Sequence, residues 1–430
     1  MFSTVTTVVT VAVAVALLLL LLSMRESAES AFERGTGNMH LLVTKEKDRL
    51  TSVLNAIYYT AAPSQFITWE EYQSIQQRFG GGSFGPGALQ FLIPIQQGDS
   101  YRGFKVTATT PEFFTQFSHD RDYAPGAPSE DHEAESWRLR EGQFLEGDFE
   151  TVLGAEVARR TSLRIGDRIH MTHGASDFEY EGRGDVHDEF EWEVVGILEP
   201  TGSAHDRAVF IDLGSAWIVH AQDRRELEAG GHVETTAAEV TDEDRKITGL
   251  LLRALVRPGR QMSAATGSIA YELNRSGFTV AEPRTEVARL FEIVGDVSGI
   301  LLGMAVVVMV SSGIAIMLAL YNSMEQRRRQ IAVLRVLGSS RPRIFRLVMI
   351  ESALIGLLGA SAGVLLWLPA SVLVSAVMAA EIGLVVEASL HLDILGPVIL
   401  GAVLLGCLAG IVPAVTAYRT PIAVNLRPIG

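Results

Sequence analysis

Five of the ten histidines fall within one stretch of 51 residues, where they could form a metal site. They are His170, His173, His187, His205 and His220, and Asp188 and Asp206 stand beside two of them. Imidazole nitrogens and carboxylate oxygens are ligands that Zn²⁺ accepts. His170 and His173, however, are three apart on a predicted strand, so their side chains point to opposite faces. Scattered surface histidines are therefore the favoured interpretation. If a metal ion binds, the candidate ligands are His173, His187, Asp206 and His220.

A serine flanked by glycines raises the question of hydrolase chemistry. Residues 81–85 read G-G-S-F-G and match the G-x-S-x-G pattern of a nucleophile elbow. That motif needs a strand before it and a helix after it. A polar segment predicted to be a helix, 69–79, precedes it, and G-P-G follows. The pattern favours a loop at 80–87, and we expect no catalytic residue in the chain.

The segment EQRRRQIAVLRVLGSSRPRIFRLV, residues 325–348, carries seven arginines, no lysine and one acid. Apolar side chains recur at helical spacing, at Ile331, Val333, Leu334 and Leu337. Arg335 and the preceding arginines are predicted to face water or lipid head groups. Gly338 breaks this short amphipathic helix, and Pro342 starts the next helix. The segment is suited to lie at a membrane surface and contact a partner.

Long uncharged runs surround this segment. Membrane-spanning helices are predicted at 1–23, 297–324, 351–380 and 394–418, because about 20 apolar residues cross the hydrocarbon core. The first run could instead be a cleaved signal peptide. Its apolar core, residues 5–22, is long for that role, and no clear A-x-A site follows it. A retained helix is the favoured interpretation.

The arginines predict the orientation of these helices, since short loops rich in Lys and Arg stay on the cytoplasmic side. Residues 325–350 are predicted to be a cytoplasmic segment, 381–393 an outer loop without basic residues, and 419–430 a cytoplasmic tail. Both termini are then cytoplasmic, and 24–296 is extracytoplasmic. The expected location is the inner, or plasma, membrane.

Residues 24–296 are predicted to form a mixed α+β domain. Helices are expected at 69–79 and 262–275, and strand character appears at 101–109, 151–153, 189–198 and 246–257. In 189–198, acids alternate with Phe190, Trp192 and Val194, which indicates a half-buried strand. Loops are expected at 120–136 and 222–246. The predicted fold class is a four-helix membrane protein with an α+β extracytoplasmic domain inserted between helices 1 and 2.

Composition argues against a nucleic-acid partner and excludes a disulfide within the chain. The net charge is −14, and the basic segment leaves the α+β domain strongly acidic, which argues against a nucleic-acid partner. Cys407 is the single cysteine and lies in the fourth apolar run, so an intramolecular disulfide is excluded.

The segment from Glu325 through the glycine-rich helix resembles the signature of MacB/FtsX-type ABC transporter permeases. In that family a Glu-Arg-Arg run precedes an Ile-Ala-Leu-Leu-Arg-Ala-Leu-Gly-Ala segment, matched here by 331–339. Glu351 and the glycines Gly356, Gly359 and Gly363 follow. The ending PAVTAYRTPIAVNLRP and the order FLEGD, VLGAEVA, IGDRI, EVVGIL in the α+β domain are similar to the family as well.

The resemblance implies that residues 325–350 dock on an ATPase. The implied coupling residues are Glu325, Arg328, Ile331, Leu334, Arg335, Leu337, Gly338, Arg343 and Ile344. No G-x-x-x-x-G-K-[ST] motif occurs, so ATP and Mg²⁺ are expected on a separate ATPase subunit, with no cofactor on this chain. A second permease is also implied. The small-residue pairs Gly299/Gly303 and Gly406/Gly410 would permit close helix packing.

The expected function is the membrane-spanning subunit of an ABC transporter, in contact with membrane lipid, that exports, extrudes or releases a cargo on the outer side. A periplasmic adaptor or binding protein would accompany export, and an acylated protein would indicate lipoprotein release. The alternative is a mechanical relay that controls an extracytoplasmic partner and transports nothing. The sequence leaves these outcomes open.

Overall fold

The computed structural model describes residues 2–80, 88–120, 123, 137–173, 189–256, 265–381 and 392–419. The chain forms two compact units. Met1–Ala28 together with Ile293–Gly430 make up the helical unit, and Glu29–Glu292 make up the sheet domain. The loops predicted at 80–87, 120–136 and 381–393, and the tail 419–430, lie largely outside the described residues.

The described elements are numbered along the chain. The helices are α1 (Phe2–Thr36), α2 (Arg49–Tyr58), α3 (Trp69–Phe79), α4 (Glu112–Thr115), α5 (Ala155–Thr161), α6 (Leu213–Ala229), α7 (Thr266–Arg275), α8 (Pro283–Val336), α9 (Arg341–Glu381) and α10 (Leu392–Arg419). The strands are β1 (Leu41–Thr44), β2 (Leu89–Tyr101), β3 (Phe104–Thr109), β4 (Leu139–Gly142), β5 (Glu150–Leu153), β6 (Arg168–Ile169), β7 (Thr172–His173), β8 (Trp192–Leu198), β9 (Ala208–Asp212), β10 (Gly249–Ala254) and β11 (Thr279–Ala281).

Within the described residues, four helices are long and apolar enough to cross a membrane: α1, α8, α9 and α10. Their most apolar windows reach a mean hydropathy of 2.0 to 2.8, as the uncharged runs predict. The eleven strands and the shorter helices lie in the sequence between α1 and the spanning part of α8. The predicted fold class is therefore confirmed.

Helix α8 continues further than the sequence suggested. A separate amphipathic helix was expected at 330–337, but α8 runs for 54 residues without a break until Val336. Neither glycine nor proline occurs between Met324 and Gly338, and the arginines are good helix formers. The basic segment is thus the end of a long helix rather than an element of its own.

The described strands form one sheet. Its order is β11-β1-β10-β2-β3-β9-β5-β8-β4, with β6 added on β8 and β7 on β2. The pairs β3–β9 and β5–β8 are parallel, and the other pairs are antiparallel. Neighbouring strands come from distant parts of the chain: β1 pairs with β10 through Leu41 and Leu252.

Several local predictions are confirmed in the sheet domain. Helix α3 spans 69–79 and begins with a capping box between Thr68 and Glu71. Strand β5 spans Glu150–Leu153, where strand character was predicted at 151–153, and Gly154 and α5 follow it. In β8, Trp192 and Val194 are buried while Glu193 is exposed, as the alternation predicts.

The loop predicted at 222–246 is wrong in its first part. Helix α6 continues to Ala229, and Gly230 ends it in the left-handed conformation, with φ of 71°. A glycine just past a helix is a common helix terminator, because it adopts positive φ without strain. The glycine pair therefore marks the end of a helix rather than the interior of a loop.

A buried aromatic cluster encloses His205 in the sheet domain. The rings of Phe113, Phe117 and Trp137 have centroids 5.6 to 6.0 Å from its imidazole. The hydroxyl of Tyr59 lies 2.7 Å from Nδ1, and Nε2 lies 3.0 Å from the Gly35 carbonyl oxygen. Burial lowers the pKa of His205 to about 4. The neutral imidazole can accept from the hydroxyl and donate to the carbonyl.

Candidate coupling site

Residues 325–350 form a helix–turn–helix bend, here called the elbow. Helix α8 ends at a Schellman turn, in which Ser339 N donates to the Leu334 carbonyl (3.0 Å) and Gly338 N to the Arg335 carbonyl (3.2 Å). Gly338 has φ of +98°, which side chains rarely tolerate. The Ser340 carbonyl then accepts from Arg343 N at 3.1 Å as α9 begins. The glycine thus fixes the direction of the bend.

One face of the elbow packs inward against α10. Ile331 from α8 and Ile344 and Val348 from α9 are 7%, 6% and 0% exposed. They form a small core with Met324 and with two alanines near the end of α10, Ala414 and Ala417. Burying three such side chains stabilises the bend by about 1.5–3 kcal/mol each. The elbow is therefore anchored within the helical unit.

The opposite face presents apolar side chains outward. Val333, Leu334 and Val336 are 44%, 49% and 62% exposed, and Leu337 at the turn is 77% exposed. We call these four residues the apolar tip. Single exposed apolar residues are ordinary, but a contiguous group rimmed by charge is typical of an interaction surface. Because the tip stands among arginines, beyond the uncharged run of α8, it is suited to contact a protein.

The arginines around the tip are mostly exposed. The Arg328 guanidinium is hydrogen-bonded to Glu325, and Arg327 lies 3.8 Å from Glu351. Glu351, at the start of the third predicted span, thus lies close to one of these arginines. Exposed ion pairs of this kind contribute about 0–1 kcal/mol.

The structure brings all nine predicted coupling residues into the elbow, but they differ in exposure. Leu334 and Leu337 belong to the apolar tip and are exposed, as are Gly338, Arg328 and Arg343. Glu325 and Arg335 are half-buried. Ile331 and Ile344 belong to the inner core, so they position the elbow and are not on its free surface. Val336 was not predicted and is exposed. Its position one residue before the turn is the sequence feature that could have identified it as part of this surface.

The predicted packing glycines divide into two groups. A Cβ at Gly406 would lie 2.8 Å from the Ser352 carbonyl oxygen, and one at Gly410 would meet the Ser352 side chain. These glycines allow α10 to approach α9. At Gly299 and Gly303 a Cβ would have no neighbour within 4 Å. Their use between two permeases stays a prediction.

Two glycines of α9 permit a close approach to α1. A Cβ at Gly359 would lie 2.5 Å from Val11 Cγ1. A Cβ at Gly363 would lie 2.7 Å from Val15 Cβ and 2.8 Å from the Ala12 carbonyl oxygen. The resemblance indicated a glycine-rich helix, and the structure shows that these glycines allow the backbone of α1 to pack closely against α9.

Of the four predicted metal candidates, only Asp206 and His220 have described side chains, and neither belongs to a described group of three or more residues with metal-ligand spacing. Asp206 is buried and accepts hydrogen bonds from Thr201 N (2.8 Å) and Gly202 N (2.9 Å), so it holds a turn. His220 lies on α6. His173 ends β7, with a side chain outside the described part, and His187 lies outside it altogether.

Another group has metal-ligand spacing among the described residues: Glu189, Glu226 and His232. His232 Nδ1 lies 2.8 Å from a Glu189 carboxylate oxygen and 2.9 Å from one of Glu226. The hydrogen bond to Glu226 raises the pKa of His232. Because all three side chains are partly or fully exposed, an ordinary ion-pair network accounts for the arrangement.

Four spanning helices, an inserted sheet domain and a basic elbow with an apolar tip define a multi-pass membrane protein of permease type. Two family models match the chain: the MacB-like periplasmic core domain over residues 4–269, and the FtsX-like permease C-terminal over residues 302–422. The first covers more than half of the 430 residues. The chain therefore belongs to the MacB/FtsX-type permeases of ABC transporters. No curated protein compared with it gave a significant match.

Proposed function

We propose that this permease couples ATP hydrolysis by a separate ATPase subunit to the export, extrusion or release of a cargo on the outer side of the inner membrane. The observation that carries the proposal is the apolar tip, which stands exposed on an elbow whose other face is anchored. A docking element needs both properties. The anchored face transmits force to α8 and α9, and the apolar tip provides the surface that the partner binds.

The energy available at the tip is sufficient for specific docking. Full burial of Leu337 in a groove contributes about 1.5–3 kcal/mol, and its neighbours add to this. Each 1.4 kcal/mol changes the dissociation constant about tenfold. The surrounding arginines would favour an acidic rim on the ATPase and steer its approach. ATP and Mg²⁺ belong to that partner in this proposal.

The orientation of the chain follows from the same arginines. Seven of them lie in 325–348, Arg419 is the last residue of α10, and Arg427 follows that helix in the sequence. Basic segments next to spanning helices favour the cytoplasmic side, where anionic lipid attracts each charge with about 1 kcal/mol. The proposal accordingly places the elbow and both termini in the cytoplasm and the sheet domain outside. A second permease would complete the transporter.

The test is purification of the tagged permease in mild detergent, with mass spectrometry and an ATPase assay of the material that accompanies it. We expect an ATP-binding polypeptide and ATPase activity, both reduced at least tenfold by Leu337→Asp. The matched control is Leu227→Asp in the sheet domain, because Leu227 is 85% exposed and lies far from the elbow in sequence. Equal recovery from both variants would overturn the proposed docking site.

The proteins that copurify in the same preparation also distinguish the possible functions. An adaptor in the complex favours export, and an acylated protein favours lipoprotein release. An extracytoplasmic hydrolase, with no cargo, favours the mechanical relay. If the permease purifies without any ATPase at low and high salt, the arginines serve topology alone and the proposed coupling role is wrong.

A further inference from the structure

Two arginines near the start of α9, Arg343 and Arg346, share one side of that helix and are both exposed. Three residues advance a helix by about 4.5 Å and leave their side chains about 60° apart around its axis, so both guanidinium groups can reach one ligand. Arg341 differs, because its guanidinium carbon lies 5.7 Å from the centre of the Tyr418 ring on α10. We call Arg343 and Arg346 the arginine pair.

The charge of the arginine pair is not balanced within the described residues, where neither side chain has an ion pair. The next carboxylate along α9, that of Glu351, lies instead 3.8 Å from Arg327 of α8. Residues 420–430, which follow α10 in the sequence, contain no Asp or Glu. Like charges three residues apart on a helix repel each other, and cations are unfavourable near a helix start. The pair therefore favours an anion from outside the chain.

Four exposed apolar residues continue from the arginine pair along α9, and we call them the apolar stripe. They are Leu347, Ile350, Leu354 and Leu357, which are 59%, 60%, 51% and 43% exposed. The first two each lie four residues after one arginine of the pair, so they are its neighbours on the helix surface. From Arg346 to Leu357 the helix rises about 16 Å, which is about half of a 30 Å hydrocarbon core. Because α9 is apolar enough to cross a membrane, the stripe has the length of one leaflet.

We propose that the arginine pair binds the phosphate of a phospholipid with net negative charge, and that an acyl chain of this lipid lies along the apolar stripe. Guanidinium groups donate parallel hydrogen bonds to phosphate oxygens, and basic clusters beside spanning helices attract anionic lipid. An acidic protein surface would match the two charges but not a stripe as long as a leaflet. The inference rests on α9 alone and does not depend on ATPase docking at the apolar tip.

Charge selects the class of lipid. The headgroup of a zwitterionic phospholipid carries an ammonium group, which two guanidinium groups would repel, whereas a headgroup with net negative charge has no such conflict. The proposal also gives Arg343 a partner other than the ATPase that the family resemblance implies. Arg343 lies on α9 beyond the turn, at helical spacing from Arg346 and the apolar stripe, whereas the apolar tip belongs to the end of α8 and the turn.

The test is quenching of a fluorescent dye by lipids with brominated acyl chains, with the full-length protein in vesicles. The protein carries Cys407→Ala and one labelled cysteine, either Ile350→Cys on the apolar stripe or Leu318→Cys on α8. Leu318 is 52% exposed and has no arginine within eight residues, so it is the matched control position. The brominated lipid is phosphatidylglycerol, which is anionic, or phosphatidylcholine, which is zwitterionic. Both carry bromine at the same carbon, so the depth of the dye cancels in their ratio.

We expect the dye at position 350 to favour phosphatidylglycerol about 25-fold in apparent affinity, or about fivefold for each guanidinium group. Position 318 should show little preference. Arg346→Gln should reduce the preference at position 350 about fivefold. Arg329→Gln and Arg341→Gln remove the same charge from the elbow and should leave that preference nearly unchanged. Glycerol phosphate, which has the phosphate and no acyl chain, should not compete.

Five results would overturn the proposal. Equal quenching by the two lipids at position 350, or the same preference at position 318, would mean that no specific site exists. Equal losses from Arg341→Gln and Arg346→Gln would indicate a diffuse surface charge. Competition by glycerol phosphate would assign the pair to a soluble phosphate, and absence of quenching by either lipid at position 350 would mean that a protein covers this side of α9.

The outcome is separable from that of the proposed ATPase docking. Recovery of the ATPase is measured on the same Arg346→Gln protein, and a loss of ATPase with unchanged lipid preference would assign the arginine pair to the ATPase instead. If Arg346→Gln fails to fold, the comparison of positions 350 and 318 decides the matter with both arginines in place.

Discussion

Replacement of Gly363 by alanine tests the close packing of α9 on α1. The new Cβ would stand 2.7 Å from Val15 Cβ and 2.8 Å from the Ala12 carbonyl oxygen. Real carbon contacts do not become this short, and a backbone oxygen cannot rotate away, so α1 must shift. Overpacking of this kind costs about 1–3 kcal/mol. Alanine recovers about 1 kcal/mol through helix propensity, which leaves a net loss of about 0–2 kcal/mol.

Gly303→Ala is the matched control on α8, because no atom lies within 4 Å of the added Cβ. For this variant only the higher helix propensity of alanine changes the stability, by a gain of about 1 kcal/mol at most. The two variants should therefore differ in stability by about 1–3 kcal/mol, with Gly363→Ala the less stable. At about 2–4 °C per kcal/mol for a unit of this size, the difference in unfolding midpoint is measurable.

Cys407 supplies the assay. It is the only cysteine of the chain and lies on α10, so a thiol-reactive dye reports the opening of the helical unit and not of the sheet domain. The labelling midpoint is recorded on heating for the monomeric, detergent-purified native protein and both variants. A Gly363→Ala midpoint equal to or above that of Gly303→Ala would refute the packing argument.

Three further outcomes follow from the geometry. Gly338→Ala places a side chain at φ of +98°, which costs about 1–3 kcal/mol, so the dye-labelling midpoint should fall by several degrees. Ile331→Ala should lower that midpoint more, because truncation of a buried isoleucine to alanine costs about 2–5 kcal/mol of stability. Leu337→Ala should leave the midpoint unchanged, because Leu337 is exposed, but it should reduce the amount of ATPase recovered with the permease. In the sheet domain the pKa of His205 is about 4, below the unfolded value of 6.5. The contribution of the neutral imidazole to the free energy of unfolding is therefore complete above pH 6.5. It is lost as the pH falls toward 4, by about 3 kcal/mol. Unfolding followed by tryptophan fluorescence should show this loss, and His205→Gln should reduce it; an identical pH dependence would contradict the assignment.

The elements that could be predicted are those whose cause is local. A run without charge must be long enough for the hydrocarbon core, and this alone located the four spanning helices. Similarly, the alternation around Trp192 indicated a strand, and the capping residues around Thr68 and Glu71 are consistent with a helix start. These signals lie within a few residues of the element that they define, so a single sequence contains them.

The remaining features depend on residues far apart in the chain. The pairing of Leu41 with Leu252 cannot be inferred from either strand alone. Ile331 was predicted to contact the ATPase because it lies on the apolar face of the segment, yet it is buried against Ala414 and Ala417, more than 80 residues later. Only the fold distinguishes the anchored face of the elbow from its tip.

The most direct test of the account is a photo-crosslinking side chain placed at position 337 in living cells. We predict a crosslink to a polypeptide with a G-x-x-x-x-G-K-[ST] motif, obtained from position 337 and not from the buried position 331 or from Leu227. Crosslinks to lipid alone, or the same products from Leu227, would contradict the claim that the apolar tip docks on an ATPase.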